Sequence, residues 1–286
     1  AVGIGPLPCA SASTPDATSS HFSLDLPIDS PMLWRARSGD PCQSKENRLY
    51  PLSVQIVSTV GGTPLDTLAS EVGFRTIELD TARDEEGSAF TLRVNGQPQF
   101  CIGANWIPEG LWPGQVRKET YRQRIEQACR AGVNMLRVWG GGYYEDEEFY
   151  RECDRRGVLV WQDFMFSCAM YPEEAPFPSL VEKEARHQIA RLSAHPSVAL
   201  WCGGNECIWG YESWGWKERL KPGQSWGRGY YLDLLPRLVA ELDPTRPYWP
   251  NSPWSGDEAT HPNDGSRGDR HTWEVRLDGY LGVPCR

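Results

Sequence analysis

A carboxylate and an amide that directly follow one apolar segment are the residues most suited to chemistry. Asn205 and Glu206 come after Val198-Ala-Leu-Trp-Cys-Gly-Gly, a stretch whose apolar part is typical of a buried strand. A carboxyl group among aromatic side chains is partly desolvated, which raises its pKa and suits it to general acid catalysis. Asn205 is suited to hydrogen-bond a ligand hydroxyl. We therefore expect a raised pKa for Glu206, the alternative being a glutamate that caps the next helix.

Polar or aromatic side chains also end the other apolar segments. They are Asn105-Trp106, then Arg137 and Trp139, then Trp161-Gln-Asp163, and finally His271 with Trp273. Arg137 is suited to hold a neighbouring carboxylate ionised, or to form a salt bridge inside the fold. Asp163 is suited to bind ligand hydroxyls, or to be the partner in that salt bridge. His271, taken alone, is typical of a structural histidine.

Three successive glycines, residues 140–142, do not form a phosphate-binding loop. The sequence lacks the GxxxxGK[ST] pattern, and the Tyr-Tyr-Glu-Asp-Glu-Glu that follows the glycines would repel phosphate. The glycines favour a close approach of the backbone to a ligand, with a tight turn between strand and helix as the alternative. The acidic run Asp146-Glu147-Glu148 is typical of a solvated helix N-terminus.

The composition argues against several classes of protein. The 286 residues allow one large domain or two ordinary ones. Lys and Arg number 29 against 38 Asp and Glu, and the resulting net charge of −9 argues against a nucleic acid partner. No apolar run approaches the roughly 20 residues that span a bilayer. The chain has 11 Tyr, 8 Phe and 13 Trp, and the Trp exceed what packing alone usually requires. Aromatic faces bind sugar rings or other flat ligands, with core packing as the alternative for about half of the tryptophans.

The cysteines indicate a reducing compartment. There are nine, an odd number, without a CxxC pair or a His–Cys cluster at zinc spacing. Cys101, Cys129 and Cys202 lie in apolar segments and are predicted to be core residues. The sequence shows no signal-peptide pattern and no Asn-x-Ser/Thr site, so we expect a cytoplasmic protein.

The pattern of polar and apolar residues changes along the chain. Alternating polar and apolar residues at 21–28, 52–57 and 73–79, with a Gly61-Gly62 turn, predict a small β-sandwich. From residue 88, after a hairpin signal at Asn95-Gly96, strand-like and helix-like segments alternate. The predicted strands are 101–106, 135–139, 158–161 and 198–202, with weaker ones at 247–250 and 269–273. The predicted helices are 120–132, 146–157, 180–195 and 231–242.

Repeated strand–helix units predict a parallel sheet, which forms either a barrel or an open doubly wound sheet. Functional-looking residues follow every strand. In a (β/α)8 barrel the carboxyl ends of all strands converge on one site, whereas an open sheet concentrates function at one switch point. The distribution of polar residues therefore favours the barrel.

Four motifs, in order and at similar spacing, resemble the β-mannosidases of glycoside hydrolase family 2. They are Gly-Ala-Asn-Trp-Ile-Pro (103–108), Asn-Met-Leu-Arg-Val-Trp-Gly-Gly-Gly (134–142), Val-Trp-Gln-Asp-Phe-Met-Phe (160–166) and Leu-Trp-Cys-Gly-Gly-Asn-Glu (200–206). Val-Gly-Phe-Arg-Thr (72–76) resembles the end of the family's β-sandwich. The resemblance implies an immunoglobulin-like β-sandwich over residues 1–87, irregular in its first ~20 residues, and an incomplete (β/α)8 TIM barrel over residues 88–286.

The same resemblance implies a retaining hydrolase of terminal non-reducing β-D-mannose residues. Glu206 would be the acid/base. The implied substrate-binding residues are Asn205, Arg137, Trp139, Asp163, Asn105, Trp106, Trp214, Trp254 and His271. The implied partners are β-mannoside oligosaccharides or glycoprotein-derived glycans, with neither nucleic acid nor membrane. A homodimer of the intact enzyme is also expected, and no metal or cofactor is implied.

One departure from the family concerns the nucleophile. A retaining glycosidase needs a second carboxylate about 5–5.5 Å from the first, and the family's Ser-Glu-Phe-Gly-like motif is not found before residue 286. We therefore expect an internal fragment, inactive as given. The alternatives are a carbohydrate-binding remnant without chemistry, or another family 2 glycosidase of the β-galactosidase or β-glucuronidase type.

Overall fold

Two small antiparallel sheets begin the computed structural model, which describes residues 27–40, 47–58 and 60–273. The first pairs β1 (Tyr50–Val57) with β2 (Pro64–Val72). The second has the order β3 (Ile77–Asp80), β4 (Thr91–Val94), β5 (Gln97–Pro98). Asn95 and Gly96 join β4 to β5 with φ values of 52° and 73°. This is the two-residue hairpin that the Asn-Gly pair predicts.

The predicted sandwich is only partly represented in the described residues. The predicted strand at 21–28 lies almost entirely outside them, and the one predicted at 73–79 is confined to β3. β3 pairs with β4 across residue 87, the position of the predicted domain boundary. That boundary stays a prediction.

A five-stranded parallel sheet carries the predicted strand–helix units. Its strands are β6 (Gly103–Trp106), β7 (Met135–Val138), β8 (Leu159–Asp163), β9 (Val198–Cys202) and β10 (Tyr248–Trp249). They lie side by side in chain order. Every residue of β8 and β9 is buried, as expected for parallel strands that are covered on both faces. The sheet is consistent with the first part of the predicted barrel.

The weak strand predicted at 269–273 does not form, and that prediction is wrong. The Asn263 side chain takes both backbone groups of His271, accepting from its N–H at 2.8 Å and donating to its carbonyl at 2.9 Å. Because a side chain satisfies these groups, they are not used in a strand ladder.

In the part of the chain that the structure describes, five α-helices connect the parallel strands. They are α1 (Lys118–Arg130), α2 (Glu147–Arg156), α3 (Phe177–Leu192), α4 (Cys207–Ser213) and α5 (Leu235–Leu242), the last preceded by a π-helical turn at Tyr230–Leu234. Asp146 caps α2 by accepting the N–H of Glu148 at 2.8 Å. Glu148 itself is buried and accepts from Arg122 at 2.7 Å. The expected solvation of this acidic run is therefore wrong at Glu148, because α1 covers it.

The core lies between the parallel sheet and its helices. Cys129 and Cys202 are buried there, as predicted. Cys101 is exposed, and its predicted place in the core is wrong. It precedes β6, which is an edge strand whose first three residues are also exposed. No helix of the described residues is both long and apolar enough to cross a bilayer.

Candidate active site

Arg137 and Asp163 form a buried ion pair at the carboxyl ends of β7 and β8. Nη2 of Arg137 lies 2.8 Å from Oδ2 of Asp163, and Nε lies 3.2 Å from Oδ1. Burial by itself would lower the pKa of Arg137, but the Asp163 carboxylate outweighs it and raises that pKa above its ordinary value. The salt-bridge alternative for Arg137 is therefore what the structure shows.

Asp163 is oriented wholly toward the protein. Its side chain is fully buried, and it also accepts from the backbone N–H of Gly140 and from the indole N–H of Trp161, each at 3.0 Å. With the two bonds from Arg137, these make four, about the capacity of a carboxylate. Asp163 thus fixes the orientation of the Arg137 guanidinium.

Asn205 joins this ion pair to the next strand end. Its Oδ1 accepts from Nη2 of Arg137 at 3.0 Å, and its Nδ2 donates to Sγ of Cys168 at 3.3 Å. Nη1 of Arg137 lies 3.4 Å from Oδ1 of Asn105 on β6. Residues at the carboxyl ends of β6, β7 and β8, and one just after β9, therefore meet at the same end of the sheet, as a barrel requires.

Glu206 occupies the N-cap position of α4 without capping it. Its backbone is left-handed, with φ of 57°, and its side chain accepts no N–H from the helix. The carboxylate instead accepts from Nδ1 of His271 at 2.6 Å, from the indole of Trp273 at 3.0 Å and from Cys168 at 3.3 Å. The Glu206 side chain thus does not cap the helix, which was the alternative to a catalytic role. Non-glycine residues at positive φ are strained and concentrate at functional sites.

The expected rise in the pKa of Glu206 is wrong for this conformation. Burial does act to raise it, since the residue is 5% exposed. The hydrogen bonds from His271, Trp273 and Cys168 outweigh burial and lower the pKa of Glu206 to about 2. Donors that stabilise the charged form can exceed the cost of desolvation.

Comparison with known proteins agrees with these motifs. β-Mannosidase B of Aspergillus oryzae is 37% identical over 262 residues, which cover 88% of this chain and 30% of that protein. β-Mannosidase B of Thermothelomyces thermophilus is 34% identical over 270 residues, 91% of this chain and 30% of that protein. The crystal structure of β-D-mannosidase from Dictyoglomus thermophilum matches 87% of this chain and 29% of its own, with 43% identity and a TM-score of 0.78. This chain belongs to the β-mannosidases of glycoside hydrolase family 2.

The chain spans about 30% of the length of the curated β-mannosidases that it matches. No family model matches it. A β-glucuronidase from Bacteroides uniformis has a TM-score of 0.58 over 76% of this chain and 24% of its own, at 22% identity. That likeness shows a shared fold alone.

Around the site of this β-mannosidase-family chain, the predicted tryptophans lie in different surroundings. The Trp106 indole donates to Glu145 at 2.9 Å, and its ring packs on Phe149 of α2. Trp254 is buried, and its backbone N–H donates to Asp269 at 3.0 Å. Trp214 is part of a run of aromatic contacts that continues through Trp209 to the ring of His271.

The fourth predicted tryptophan, Trp139, explains part of the glycine run. A Cβ at Gly141 would lie 2.0 Å from the Trp139 ring, and one at Gly140 would lie 2.4 Å from the carbonyl oxygen of Phe166. The backbone at these two glycines approaches other parts of the protein. The tight-turn alternative therefore accounts for them without a ligand.

Four residues of the site were absent from the predicted set. Cys168 and Trp273 contact Glu206, while Ser252 and Asp269 contact each other and Ser252 contacts His271. Asp269 and Trp273 lie in the same Gly-Asp-Arg-His-Thr-Trp stretch as His271, and this proximity in the sequence indicates that they belong to the site. For Cys168 and Ser252 the sequence carries no comparable signal.

Proposed function

We propose that this chain supplies the acid/base part of the active site of a retaining β-mannosidase. The substrate would be the terminal non-reducing β-D-mannose of a β-mannoside. The observation that carries the proposal is the meeting of Glu206, Asn205 and the Arg137–Asp163 pair at one end of the parallel sheet. Membership of the β-mannosidase family supports it.

In this proposal Glu206 protonates the glycosidic oxygen in the first step. It then removes a proton from the water that attacks the glycosyl-enzyme intermediate. A second carboxylate about 5–5.5 Å away acts as the nucleophile. No position of this chain is assigned to that role.

The substrate-binding residues remain those of the predicted set, with a division of labour that the geometry supports. Asn205, Arg137 and Asn105 present polar groups at the carboxyl end of the sheet, and His271 contacts Glu206 directly. Asp163, Trp106 and Trp254 form hydrogen bonds with other protein groups and would support the site by positioning its residues. Trp139 and Trp214 are proposed to wall the sugar pocket.

The wider organisation of the protein is also a proposal. We infer an immunoglobulin-like sandwich over residues 1–87, followed by the barrel over residues 88–286. The β1–β2 sheet supports the β-rich start, whereas the β3–β4–β5 sheet spans residue 87. The proposed ligands are β-mannoside oligosaccharides or glycoprotein-derived glycans. The homodimer and the cytoplasmic location stay predictions.

The decisive experiment uses the complete gene product and a panel of aryl β-mannosides, β-galactosides and β-glucuronides. We expect turnover of the mannoside alone. Turnover of another glycoside in its place would contradict the substrate. Replacement by Glu206→Ala should slow deglycosylation, and added azide should restore turnover with β-mannosyl azide as product, because the anion needs no general base.

Glu212→Gln is the matched control for that substitution. Glu212 pairs with Lys217 on the surface at the end of α4, so its loss should leave the rate unchanged. If azide fails to rescue Glu206→Ala while the variant remains folded, the acid/base assignment is wrong.

A further inference from the structure

Behind Glu206, three short hydrogen bonds connect four side chains in a row. Oδ2 of Asp269 lies 2.6 Å from Oγ of Ser252, which lies 2.9 Å from Nε2 of His271. Nδ1 of His271 lies 2.6 Å from Oε1 of Glu206. These four residues, termed the relay, connect the carboxylate of Glu206 to a second carboxylate, that of Asp269.

Each of the three hydrogen bonds needs one proton between its two heavy atoms. The Ser252 hydroxyl supplies one and a neutral His271 ring supplies another. With both carboxylates ionised, the third bond would place two lone pairs in contact. The geometry therefore requires one additional proton, and only His271, Glu206 or Asp269 can hold it.

The far end of the relay is fixed in orientation. Oδ1 of Asp269 accepts from the indole of Trp249 at 2.7 Å and from the backbone N–H of Trp254 at 3.0 Å. Only Oδ2 is thus directed at Ser252. The Ser252 backbone is held as well, because it donates to Gly204 and accepts from the N–H of Glu206.

We propose that Asp269, Ser252, His271 and Glu206 form a proton relay that stores, on His271, the proton that Glu206 delivers to the leaving group. The inference rests on the proposed function, because it deepens the role of Glu206 in that reaction. Asp269 and Ser252 are positioning residues, since they act through His271.

The relay accounts for a carboxylate that is ionised before reaction yet acts as an acid. In the first step the proton on Nδ1 of His271 passes to Glu206, and the Glu206 proton goes to the departing glycosidic oxygen. His271 is then neutral, with its remaining proton on Nε2 shared with Ser252, and Ser252 donates to the Asp269 carboxylate. In the second step Glu206 takes a proton from the attacking water and returns one to Nδ1, so protons balance over the cycle.

Other charged and titratable groups face the two ends of the relay. The Cys168 thiol donates to Oε2 of Glu206, and burial raises the pKa of that thiol, which keeps it protonated. At the other end, the Asp269 charge acts on Arg137 and on Cys202. Burial raises the pKa of Asp269 above its ordinary value, although Ser252, Trp249 and Trp254 donate to it.

The substitution Asp269→Asn tests the relay because it should reverse the direction of the hydrogen bonds made by the Ser252 hydroxyl. The amide oxygen of the new side chain must face Trp249 and Trp254, which are donors, so its NH2 group faces Ser252. Ser252 must then donate to Nε2 of His271, and Nδ1–H donates to Glu206. All three bonds are satisfied without the additional proton, so His271 becomes neutral with its proton on Nδ1.

The first measurement is nitrogen NMR of the 286-residue chain with labelled histidine at pH 7. The chain has five histidines, and the His271 signals are identified by their loss in His271→Gln. We expect protons on both ring nitrogens in the parent chain and on Nδ1 alone in Asp269→Asn. A neutral His271 in the parent chain, or an unchanged ring in the variant, would overturn the proposal.

Electrophoretic mobility at pH 7 measures the net charge of the chain and needs no assignment of NMR signals. With the stored proton added to the formal charge of −9, the parent chain carries about −8. Asp269→Asn removes one negative charge and also the stored proton, so this net charge should not change. The control is Asp264→Asn on the same loop, whose carboxylate bonds Ser266, and it should shift by one full charge. A change in mobility that corresponds to one full charge in Asp269→Asn would also contradict the relay.

A double substitution separates the relay from a general structural effect. Ser252→Ala removes the hydroxyl but keeps the backbone bonds of residue 252. In that background, Asp269→Asn should no longer alter the protonation of His271. If the alteration persists, the coupling does not pass through Ser252 and the proposed route is wrong.

The catalytic reading uses the complete gene product. Asp269→Asn should slow β-mannosides with poor leaving groups by roughly 10²-fold, within the range typical of general acid catalysis. A dinitrophenyl β-mannoside, whose leaving group needs no proton, should form the glycosyl-enzyme at nearly the parent rate. Equal losses on both substrates would contradict the relay. Absence of hydrolysis by the parent enzyme would contradict the proposed function, while the NMR and mobility results would still decide the relay.

Discussion

The Cys168 thiol donates a hydrogen bond to the carboxylate of Glu206, with Sγ 3.3 Å from Oε2. Cys168 has a left-handed backbone, with φ of 46°, and is an exposed residue of the loop between β8 and α3, although its thiol group is partly buried. A negative carboxylate at this distance disfavours a second negative charge on the sulfur. The thiol is therefore accessible but chemically slow, because only the thiolate is an efficient nucleophile.

Alkylation of Cys168 should report the charge on Glu206. Burial, together with the hydrogen bond to Glu206, raises the pKa of the Cys168 thiol. We expect Glu206→Gln to speed iodoacetamide labelling of Cys168 several-fold at pH 8, as measured by peptide mass spectrometry. Cys101 is also exposed and serves as the internal control. Equal labelling of Cys168 in both chains would show that the carboxylate does not restrain the thiol.

Loss of the Asp163 charge should destabilise the fold strongly. Asp163→Asn leaves the Arg137 guanidinium buried without its counter-charge, which typically costs about 3–5 kcal/mol. Urea unfolding followed by tryptophan fluorescence measures the change. Glu126→Gln, which breaks the exposed Arg130–Glu126 pair on α1, should cost less than about 1 kcal/mol. Comparable losses in the two variants would contradict a special role for the buried pair.

The stability of the fold should fall as the pH rises from about 6.5 to 9. His195 is buried between Asp154 and Glu147, with ring nitrogens 2.6 and 3.1 Å from their carboxylates. Burial acts to lower its pKa, but the two carboxylates outweigh burial and raise the pKa to about 9. The folded state thus keeps a proton that the unfolded chain releases near pH 6.5, and this stabilisation, complete below pH 6.5, is lost as the pH rises through 9.

The size of this effect is on the order of 3 kcal/mol, from the shift in pKa. Free energies of unfolding measured in urea between pH 6 and pH 10 give the slope. His195→Gln should flatten that slope, whereas His187→Gln, at an exposed position of α3, should leave it unchanged. A parent chain whose stability does not change over this interval would disprove the proposed charge state.

Gly140 should not tolerate a side chain. A Cβ there would lie 2.4 Å from the Phe166 carbonyl oxygen and 2.7 Å from that of Phe164, both of them backbone atoms. Gly140→Ala should therefore cost about 1–3 kcal/mol or more, by overpacking. Gly114→Ala is the control, since nothing lies within 4 Å of its Cβ position. Differential scanning calorimetry compares the two, and an unchanged Tm for Gly140→Ala would contradict the close backbone approach at this turn.

Much of the architecture could be predicted because it depends on local patterns. The stretches 158–161 and 198–202, which form most of β8 and all of β9, are apolar throughout, as is typical of strands covered on both faces. Asp146 and Gly157 bound α2 as a cap and a left-handed terminus, and both residue types are typical of those positions. The predicted strand at 269–273 failed because the Asn263 side chain, and not a neighbouring strand, satisfies the backbone of His271.

The sequence by itself determined where the polar residues fall, at the ends of successive apolar strands, and hence that Glu206, Asn205, Arg137 and Asp163 would meet. Only the tertiary structure decided the charge of Glu206. Its donors Cys168, His271 and Trp273 are 38, 65 and 67 residues away along the chain. Desolvation follows from apolar neighbours that the sequence displays, whereas hydrogen bonds to a charge depend on distances and angles that only the folded chain sets.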